Sequence, residues 1–292
     1  MEFSFTNHVE NAMVKSLLKN HGVSKKLLAS VKFDGGKILV NDVEQNAIFR
    51  LKINDIVKII VPDEPDNPFL LADDEPIDVV FEDEHYLIVN KPAGKPSITG
   101  SLHPHGAMSN LVKGYIQRQK YPNQTVHLIT RLDRDTSGLI FFSKHSYAHA
   151  VIVHPKFKDS LVKRYFALVK SDGNLPEIGE IDQPIGRREG SIIERMVRED
   201  GKPAKTSYQS VLTKNDLNLL DVTLHTGRTH QIRVHFSHLG YPLIGDDLYG
   251  GDHELMNRQA LHCHHLEFIH PFTNEKVEIE LDLPEDMKNL LK

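Results

Sequence analysis

The sequence predicts an α+β fold: a mixed, mainly antiparallel sheet with flanking helices, preceded by a smaller α+β unit. Many short apolar runs are bounded by turn residues, which is typical of strands, and only a few stretches have helical spacing. An acidic stretch containing prolines interrupts the chain over residues 62–76. These observations predict a small unit over residues 1–61, a linker over 62–76 and a large domain over 77–292.

The small unit is predicted to contain two short helices followed by a small sheet. Apolar residues fall near helical spacing over residues 8–20. Ser24 is placed to N-cap a second helix over residues 25–33. The strands are predicted from short apolar runs at residues 38–40 and 56–61.

The large domain is predicted to combine many strands with a few helices. Helices are expected over residues 108–120 and 145–153, and Thr229 is placed to N-cap a third that ends near Leu239. The predicted strands, which begin with a hairpin, cover residues 79–81, 86–89, 127–130, 139–142, 163–170, 205–213, 217–225, 264–269 and 276–281. This proportion of strands to helices favours a mainly antiparallel sheet.

A dense cluster of charged residues, Arg131-Leu132-Asp133-Arg134-Asp135, lies on a predicted turn between two buried strands. Arg131 and Asp133 adjoin the first apolar run, so both are expected to be partly buried, where an ion needs a partner. The bare pattern leaves two alternatives, a salt-bridged surface turn and a catalytic cluster, because structural ion pairs are as common as catalytic ones.

The net charge of −5 hides an uneven distribution along the chain. Residues 62–78 contain seven acidic residues and no basic one, whereas residues 112–205 contain 17 basic and 11 acidic residues. The acidity is therefore concentrated near the linker, and basic regions remain that could meet phosphate groups. Ordinary variation of surface charge is the alternative.

Composition also limits the class of protein. The single cysteine, Cys263, excludes an internal disulfide and fits a reducing cytoplasm. The sequence shows neither an apolar signal region nor a stretch of 18 apolar residues, so neither secretion nor a membrane span is expected. The motifs GxGxxG, P-loop and HExxH are absent, and no redox cofactor, nucleotide or metal is predicted.

Four motifs occur in the order found in RluA-type RNA pseudouridine synthases, a family that the sequence resembles over residues 76 to 284. They are RLDRDTSGL around Asp133, NKPAG at 90–94, KRYFALV at 163–169, and GRTHQIRVH at 227–235, which continues to Gly250. One departure is Thr130, where that family usually has His. The small unit resembles the αL RNA-binding domain named after ribosomal protein S-four.

The resemblance implies an isomerase that works without a cofactor and uses Asp133 as its catalytic carboxylate. Turning uridine into its C5-linked isomer breaks the N1–C1′ bond, rotates the base and joins C5 to the sugar, and an ionised Asp can assist this chemistry. Arg233 would bind Asp133 bidentately and keep it ionised. Tyr165 would stack on the uracil and serve proton transfer at C5.

The resemblance also implies contacts with RNA, the expected partner. Arg131 would project on the same side as Asp133 and hold the flipped nucleotide. Further contacts are assigned to Lys91, Arg228 and His230 in the other motifs, and to Lys25 and Lys26 on the second helix, which would meet phosphates. The alternatives to these roles are that the lysines and Arg233 lie on solvated helix faces and that Tyr165 occupies a core position.

Two other functions remain open at this point. One is an RNA-binding or assembly protein that keeps the fold without turnover, which the departure at Thr130 favours. The other is a glycoside-cleaving enzyme that uses Asp133 with a second carboxylate such as Asp135. The pair Asp246-Asp247 is interpreted as fixing a turn.

The run His262-Cys263-His264-His265 is not interpreted as a metal site, because neighbours on a strand face opposite sides. The expected protein is a cytoplasmic monomer that acts on structured RNA, with ribosomal RNA favoured over transfer RNA. Which uridine it modifies is not encoded in these motifs.

Overall fold

Two large sheets organise the chain, one of four strands and one of ten. The computed structural model describes residues 1–100, 104–171 and 173–292. The four-stranded sheet belongs to residues 1–61 and the ten-stranded sheet to residues 78–280. Within the described ranges, no helix combines the length and apolar character that crossing a membrane requires.

The small unit is an antiparallel sheet with two helices. Its strands have the order β1-β6-β3-β4, and β2 and β5 form a separate pair. The elements in chain order are β1 (Glu2–Thr6), β2 (Ala12–Met13), α1 (Val14–Asn20), α2 (Lys25–Phe33), β3 (Lys37–Val40), β4 (Val43–Glu44), β5 (Arg50–Leu51) and β6 (Ile56–Ile60).

Helix α2 has the predicted bounds, and the backbone N–H of Leu27 donates to Ser24 Oγ at 3.1 Å. The prediction of a first helix from residue 8 is wrong, because α1 begins only at Val14. Asn11 has a positive φ of 58°, which an α-helix does not allow, and the next two residues pair with β5. The prediction also missed β1, which pairs along its whole length with β6.

The large domain has a mixed, mainly antiparallel sheet with few helices, as predicted. Its strand order is β12-β15-β16-β11-β17-β10-β8-β7, with β18 paired to β17 and β9 to β10. The strands are β7 (Asp78–Glu82), β8 (Tyr86–Lys91), β9 (His127–Leu128), β10 (Ser137–Ser143), β11 (Val162–Lys170), β12 (Ile178–Asp182), β13 (Ile185–Arg187), β14 (Arg195–Val197), β15 (Lys205–Lys214), β16 (Leu217–Leu224), β17 (Leu261–Ile269) and β18 (Lys276–Glu280). Its helices are α3 (Met108–Arg118), α4 (Ser146–Ile152), α5 (Gln231–His238) and α6 (Glu285–Leu290), with a short 3₁₀ turn at Lys158–Ser160.

Strand β10 is an interior strand of this sheet. All seven of its residues are buried, which explains its continuous apolar run, and it lies between β8 (antiparallel) and β17 (parallel). Gly138 makes this close approach possible: its φ is +107°, and a Cβ there would lie 2.2 Å from the carbonyl oxygen of Cys263. The turn that carries Asp133 is therefore joined directly to a fully buried strand that is paired on both sides.

Helix α5 begins later than predicted. Thr229 is not its N-cap; His230 occupies that position with a left-handed φ of 57° and without a side-chain capping bond. His230 turns the chain into the helix, so that Arg233 lies in the first turn and points inward, 6% exposed.

The acidic segment 62–76 forms no helix or strand but is hydrogen-bonded to the large domain. Glu64 accepts from the backbone N–H of Ser146 at 2.6 Å and contacts His127 Nε2 at 2.7 Å. Asp66 is paired with the buried Lys113 of α3. These contacts argue against the free movement of the small unit that the composition of this segment predicts.

The small unit also shares an apolar cluster with helix α4 and the residues that follow it. Tyr147, Val151 and Phe157 pack into the same cluster as the buried residues of the small unit. The Tyr147 hydroxyl donates to the carbonyl of His21 at 3.0 Å. The next residue, Gly22, has a φ of +81°, and a Cβ there would lie 3.1 Å from Val151 Cγ2. Close contact with α4 thus depends on the absence of a side chain at Gly22.

We expect Gly22→Ala to lower the free energy of unfolding by about 2 kcal/mol, since it adds left-handed strain and a crowded Cβ against α4. Gly35→Ala is the matched control, because Gly35 has a φ of +94° but no atom within 4 Å of the place that a Cβ would take. The control should cost about 1 kcal/mol. Urea denaturation of both variants measures the difference; equal losses would show that the contact with Val151 contributes nothing.

Candidate active site

A cleft of about 440 Å³ opens beside the turn that follows β9. Asp133 and Arg131 line it from this turn, Tyr165 from β11, and Arg228 from the loop before α5. A smaller recess of about 60 Å³ also contains Asp133 and Tyr165 and is bounded by His230 and Arg233. The structure therefore brings together residues from three of the four motifs around Asp133.

The backbone on both sides of Asp133 is held by the loop that follows β8. Ser97 Oγ donates to the carbonyl of Leu132 at 2.7 Å and accepts from the N–H of the same residue at 3.0 Å. Lys91 Nζ donates to the carbonyl of Arg134 at 2.8 Å. Asp133 is thus fixed between two anchored neighbours, while its side chain stays 27% exposed to the cleft. Sequence reasoning missed Ser97, for which no local pattern gave a signal.

The assignment of Lys91 to RNA binding is wrong. Its side chain is buried, and its ammonium donates to three backbone carbonyls, those of Pro92, Lys95 and Arg134, at 2.7–2.8 Å. Burial lowers the pKa of Lys91 to about 7, although Asp135 and Asp133 oppose this lowering. Three carbonyl acceptors match the three N–H bonds of an ammonium, so Lys91 braces the loop and does not reach a ligand.

Arg233 has two carboxylate partners, and the closer one is not Asp133. Its Nε and Nη2 atoms bind Asp246 bidentately, both at 2.7 Å, whereas Nη1 lies 3.4 Å from Asp133 Oδ2. The predicted bidentate pair with Asp133 is therefore wrong. Asp246 does fix a turn, as interpreted from the sequence, because its carbonyl accepts from the backbone N–H of Gly251 at 2.7 Å. Its pairing with Arg233 is a second role that the sequence did not reveal. Asp246 is fully buried, and it orients the guanidinium so that one N–H group faces Asp133.

Arg233 stays positively charged in this environment. Burial opposes the charged form, but the hydrogen bonds to Asp246 and the attraction of Asp246 and Asp133 outweigh it and raise the pKa of Arg233 above its usual value. A buried cation of this kind stabilises a nearby carboxylate in its ionised form. Since a buried Arg requires a buried carboxylate, the motif around Asp246 contained a signal that could have identified this residue.

His230 belongs to the same group of residues. Its Nε2 lies 4.0 Å from Asp133 Oδ1, and its Nδ1 lies 2.8 Å from the hydroxyl of Tyr249. That hydroxyl also accepts the backbone N–H of Arg195 at 3.0 Å and has one proton to donate, and His230 Nδ1 lies within hydrogen-bond distance of it. Burial lowers the pKa of His230, and a neutral ring that accepts at Nδ1 carries its proton on Nε2, toward Asp133.

Tyr249 therefore connects three parts of the site, and sequence reasoning missed it. Its ring also lies over the guanidinium of Arg233, 5.0 Å from the ring centre to the central carbon. Through Arg195 it contacts the two-stranded β13–β14 arm. Tyr249 could have been identified as a site residue from its position in the motif that ends at Gly250.

Tyr165 lines both the cleft and the recess, although only 5% of the residue is exposed. Burial, and then the neighbouring Cys263, raise the pKa of its phenol well above the ordinary value, so the hydroxyl stays protonated. The residue is both a core strand tyrosine and a wall of the cleft, and the two alternatives from the sequence are not exclusive.

Arg131 differs from expectation in its burial. It is exposed at the mouth of the cleft and not partly buried, because only Leu132 of this segment packs into the core. Thr130, at the departure from the family motif, is buried and accepts the backbone N–H of Phe141 at 3.1 Å. It ties the start of the Asp133 turn to β10, so the substitution for His leaves the turn attached.

The other residues that are predicted to contact RNA do not all lie at the cleft. Arg228 lines the cleft and donates through Nε to the carbonyl of Pro203 at 2.9 Å. Lys25 and Lys26 are exposed in the first turn of α2, and neither lines the cleft.

Asp133 is the only carboxylate among the described residues that line the cleft and its recess. Asp135 lies outside it and pairs with the side chain of Arg134 at 2.9–3.1 Å. Glycoside hydrolysis ordinarily uses two carboxylates that flank one bond, so this arrangement does not favour that chemistry.

Each histidine of the run on β17 has its own contact partners. His262 Nδ1 lies 2.8 Å from Ser137 Oγ, and His264 stacks on Phe166 with ring centres 3.7 Å apart. His265 lies near Glu278 and Glu280, with ligand atoms within 4.8 Å of one another. Lys276 is 2.9 Å from Glu278 and already supplies a cation to that group.

Comparison with known proteins shows which family the chain resembles. The family model described as RNA pseudouridylate synthase matches residues 85–238. Uncharacterized RNA pseudouridine synthase YjbO of Bacillus subtilis is 42% identical over 96% of this chain and 98% of its own length. Ribosomal large subunit pseudouridine synthase D of Zymomonas mobilis is 36% identical over 75% of this chain and 73% of its own.

Solved structures agree on the fold. Human RNA Pseudouridylate Synthase Domain Containing 1 superposes with a TM-score of 0.58 at 23% identity, over 72% of this chain and 85% of that one. The matched family and the relatives named above are RNA pseudouridine synthases, which are isomerases. The chain belongs to the RNA pseudouridine synthase family, whose substrate is RNA.

We expect Lys91→Met to lower the free energy of unfolding by about 2 kcal/mol, because three carbonyls lose their donor. Pseudouridine formation should fall with it, since the Asp133 turn is no longer anchored at Arg134. Lys95→Met is the control: Lys95 pairs at the surface with Glu75 and should cost less than about 1 kcal/mol. Urea denaturation distinguishes them; an unchanged stability of Lys91→Met would contradict the bracing role.

We expect Tyr249→Phe to reduce kcat for pseudouridine formation about tenfold, because His230 loses the group that fixes its tautomer. The ¹⁵N chemical shifts of His230 should then show a larger fraction of the Nδ1–H tautomer. Tyr241→Phe serves as the comparison, since Tyr241 lies outside the cleft. Unchanged ¹⁵N shifts in Tyr249→Phe would show that the phenol does not control this histidine.

Proposed function

We propose that the protein isomerises specific uridines of ribosomal RNA, with Asp133 as the catalytic carboxylate. The observation that carries the assignment of Asp133 is its position: it is exposed to a cleft that fits a nucleoside, without another described carboxylate in the lining, and it faces the cation of Arg233. An ionised, accessible carboxylate can trap the sugar at C1′ or remove its C2′ proton.

The surrounding residues have separate roles in this proposal. Arg233, held by Asp246, faces the carboxylate of Asp133 with a fixed positive charge and orients it. Tyr165 stacks on the uracil, and its protonated phenol serves proton transfer at C5. The reaction balances without a co-reactant: the N1–C1′ bond breaks, the C5–C1′ bond forms, C5 loses a proton and N1 gains one.

RNA contacts at the mouth of the cleft are assigned to Arg131 and Arg228, which line it. His230, predicted as an RNA contact, lies 4.0 Å from the carboxylate of Asp133 and is proposed to orient it or the ribose. Because the target uridine must leave its stack, the exposed guanidinium of Arg131 is suited to hold the flipped nucleotide.

The small unit, residues 1–61, is proposed to bind RNA in the manner of the S-four domain that it resembles. Its second helix presents Lys25 and Lys26 to solvent, where they can contact phosphates without reading sequence. Ribosomal RNA is favoured because a relative at 36% identity is named as a synthase of the large ribosomal subunit. We further propose that the protein acts in the cytoplasm as a monomer.

The decisive experiment is a pseudouridine map of total RNA from cells that lack the gene, complemented with wild type or with a variant. Carbodiimide labelling and primer extension should show a site in ribosomal RNA that wild type restores. Asp133→Asn should reduce its formation more than about a thousandfold. Asp135→Asn, which changes a surface pair, should restore the site.

Turnover by Asp133→Asn would remove this residue from the mechanism. A restored site in transfer RNA would correct the choice of substrate while leaving the catalytic assignment intact. An unchanged map with retained RNA binding would favour the alternative of a binding protein without turnover.

A further inference from the structure

A second groove, of about 420 Å³, lies at the junction between the small unit and the large domain. We call it the junction groove. The small unit contributes Phe5, His8 and His21, and the large domain contributes His154, Lys156 and Phe157. None of the site residues discussed above lines it, so the catalytic assignment leaves this groove without a role.

The junction groove is lined by basic side chains and by no acidic one among the described residues. No carboxylate occurs among the described residues that line it, although the whole chain carries a net charge of −5. Lys156 is exposed, and three histidines accompany it. Burial, and then the neighbouring Lys156 and His8, lower the pKa of His21, which shows that these groups converge in space. The groove is therefore suited to a polyanion.

Aromatic rings lie beside Lys156 and these histidines. The ring of Phe5 is 4.8 Å from that of His21, and Lys156 Nζ lies 5.0 Å from the ring centre of Phe157. Rings that can stack on bases, next to a cation and imidazole N–H groups that can meet phosphates, are the two components of single-strand nucleic acid binding. A free inorganic anion would use only Lys156 and the imidazoles.

The junction groove is close to the cleft that contains Asp133. Phe157 lines the groove and Leu161 lines the cleft, and the 3₁₀ turn Lys158–Ser160 connects them. Four residues span at most about 14 Å. That distance corresponds to about four nucleotides at 3.4 Å per nucleotide of a stacked strand. One RNA molecule can thus occupy both places.

We propose that the junction groove binds a single-stranded segment of the substrate RNA that flanks the target uridine. The inference rests on the proposed function and adds a second contact region that both structural units build. The hydrogen bond from Tyr147 to His21 and the contact of Gly22 with Val151 hold its two sides together, so the groove exists before RNA arrives.

The test uses the full chain and a fluorescein-labelled twelve-nucleotide oligouridine, with binding followed by fluorescence anisotropy between about 50 and 200 mM salt. Lys156→Ala should weaken binding about fivefold and reduce the slope of log K against log salt by about 0.7. Lys37→Ala is the matched control, because Lys37 is exposed on β3 and outside the groove. Its affinity should stay within twofold of wild type.

A second measurement does not depend on substitution. Ultraviolet cross-linking of 4-thiouridine-containing oligouridine, followed by peptide mass spectrometry, should identify peptides that contain Phe5 or Phe157. Excess unlabelled oligouridine should suppress these cross-links, and millimolar uridine monophosphate should not.

Three outcomes would overturn the inference. The first is an affinity of Lys156→Ala for oligouridine within twofold of wild type. The second is that cross-links form only outside the groove. The third is that uridine monophosphate suppresses the cross-links as effectively as the oligonucleotide, which would indicate a small-anion site. Sedimentation velocity on the same samples tests for a second copy in the groove; a dimer lost in Lys156→Ala would also overturn it. Pseudouridine formation by wild type is assayed in parallel: its absence refutes the proposed function, whereas normal turnover with unchanged binding refutes only the groove.

Discussion

The site depends on the buried interaction between Arg233 and Asp246. A guanidinium out of water is stable only when carboxylates match it, and Asp246 matches two of its nitrogens at 2.7 Å. This leaves a third nitrogen directed at Asp133, 3.4 Å away. Asp133 can therefore remain accessible, because the arginine beside it does not need Asp133 to be stable.

The sheet supplies the rigidity that such a geometry requires. Gly138 joins the Asp133 turn to the parallel pairing of β10 with β17, and the loop after β8 fastens the turn through Ser97 and Lys91. On the opposite side, the left-handed backbone of His230 directs the first turn of α5 inward. Side chains on anchored elements of this kind keep their relative positions.

The small unit is part of the same body in this structure. Its apolar cluster includes side chains of α4, and the acidic segment between the units is bonded to α3 and to the residues around β9. Glu64 and Asp66, in the segment that the composition marks as a self-repelling linker, thus have largely buried basic partners. The two units are therefore held together by both apolar packing and hydrogen bonds.

Local patterns in the sequence determined the class of fold, most strands of the ten-stranded sheet, the bounds of α2 and the position of the Asp133 turn. They succeed there because periodicity, caps and turn residues act over a few neighbours. They failed at residues 8–13, where the left-handed Asn11 and pairing with a distant strand prevent a helix. Only the tertiary structure decided which carboxylate binds Arg233, that Lys91 braces a loop, and that Tyr249 contacts His230. The contacts of Arg233 with Asp246 and Asp133, of Lys91 with Arg134 and of Tyr249 with His230 join residues that are 13 to 100 positions apart in the chain. Local patterns do not extend that far, and the pairs are selected by which polar groups become buried together when the chain folds.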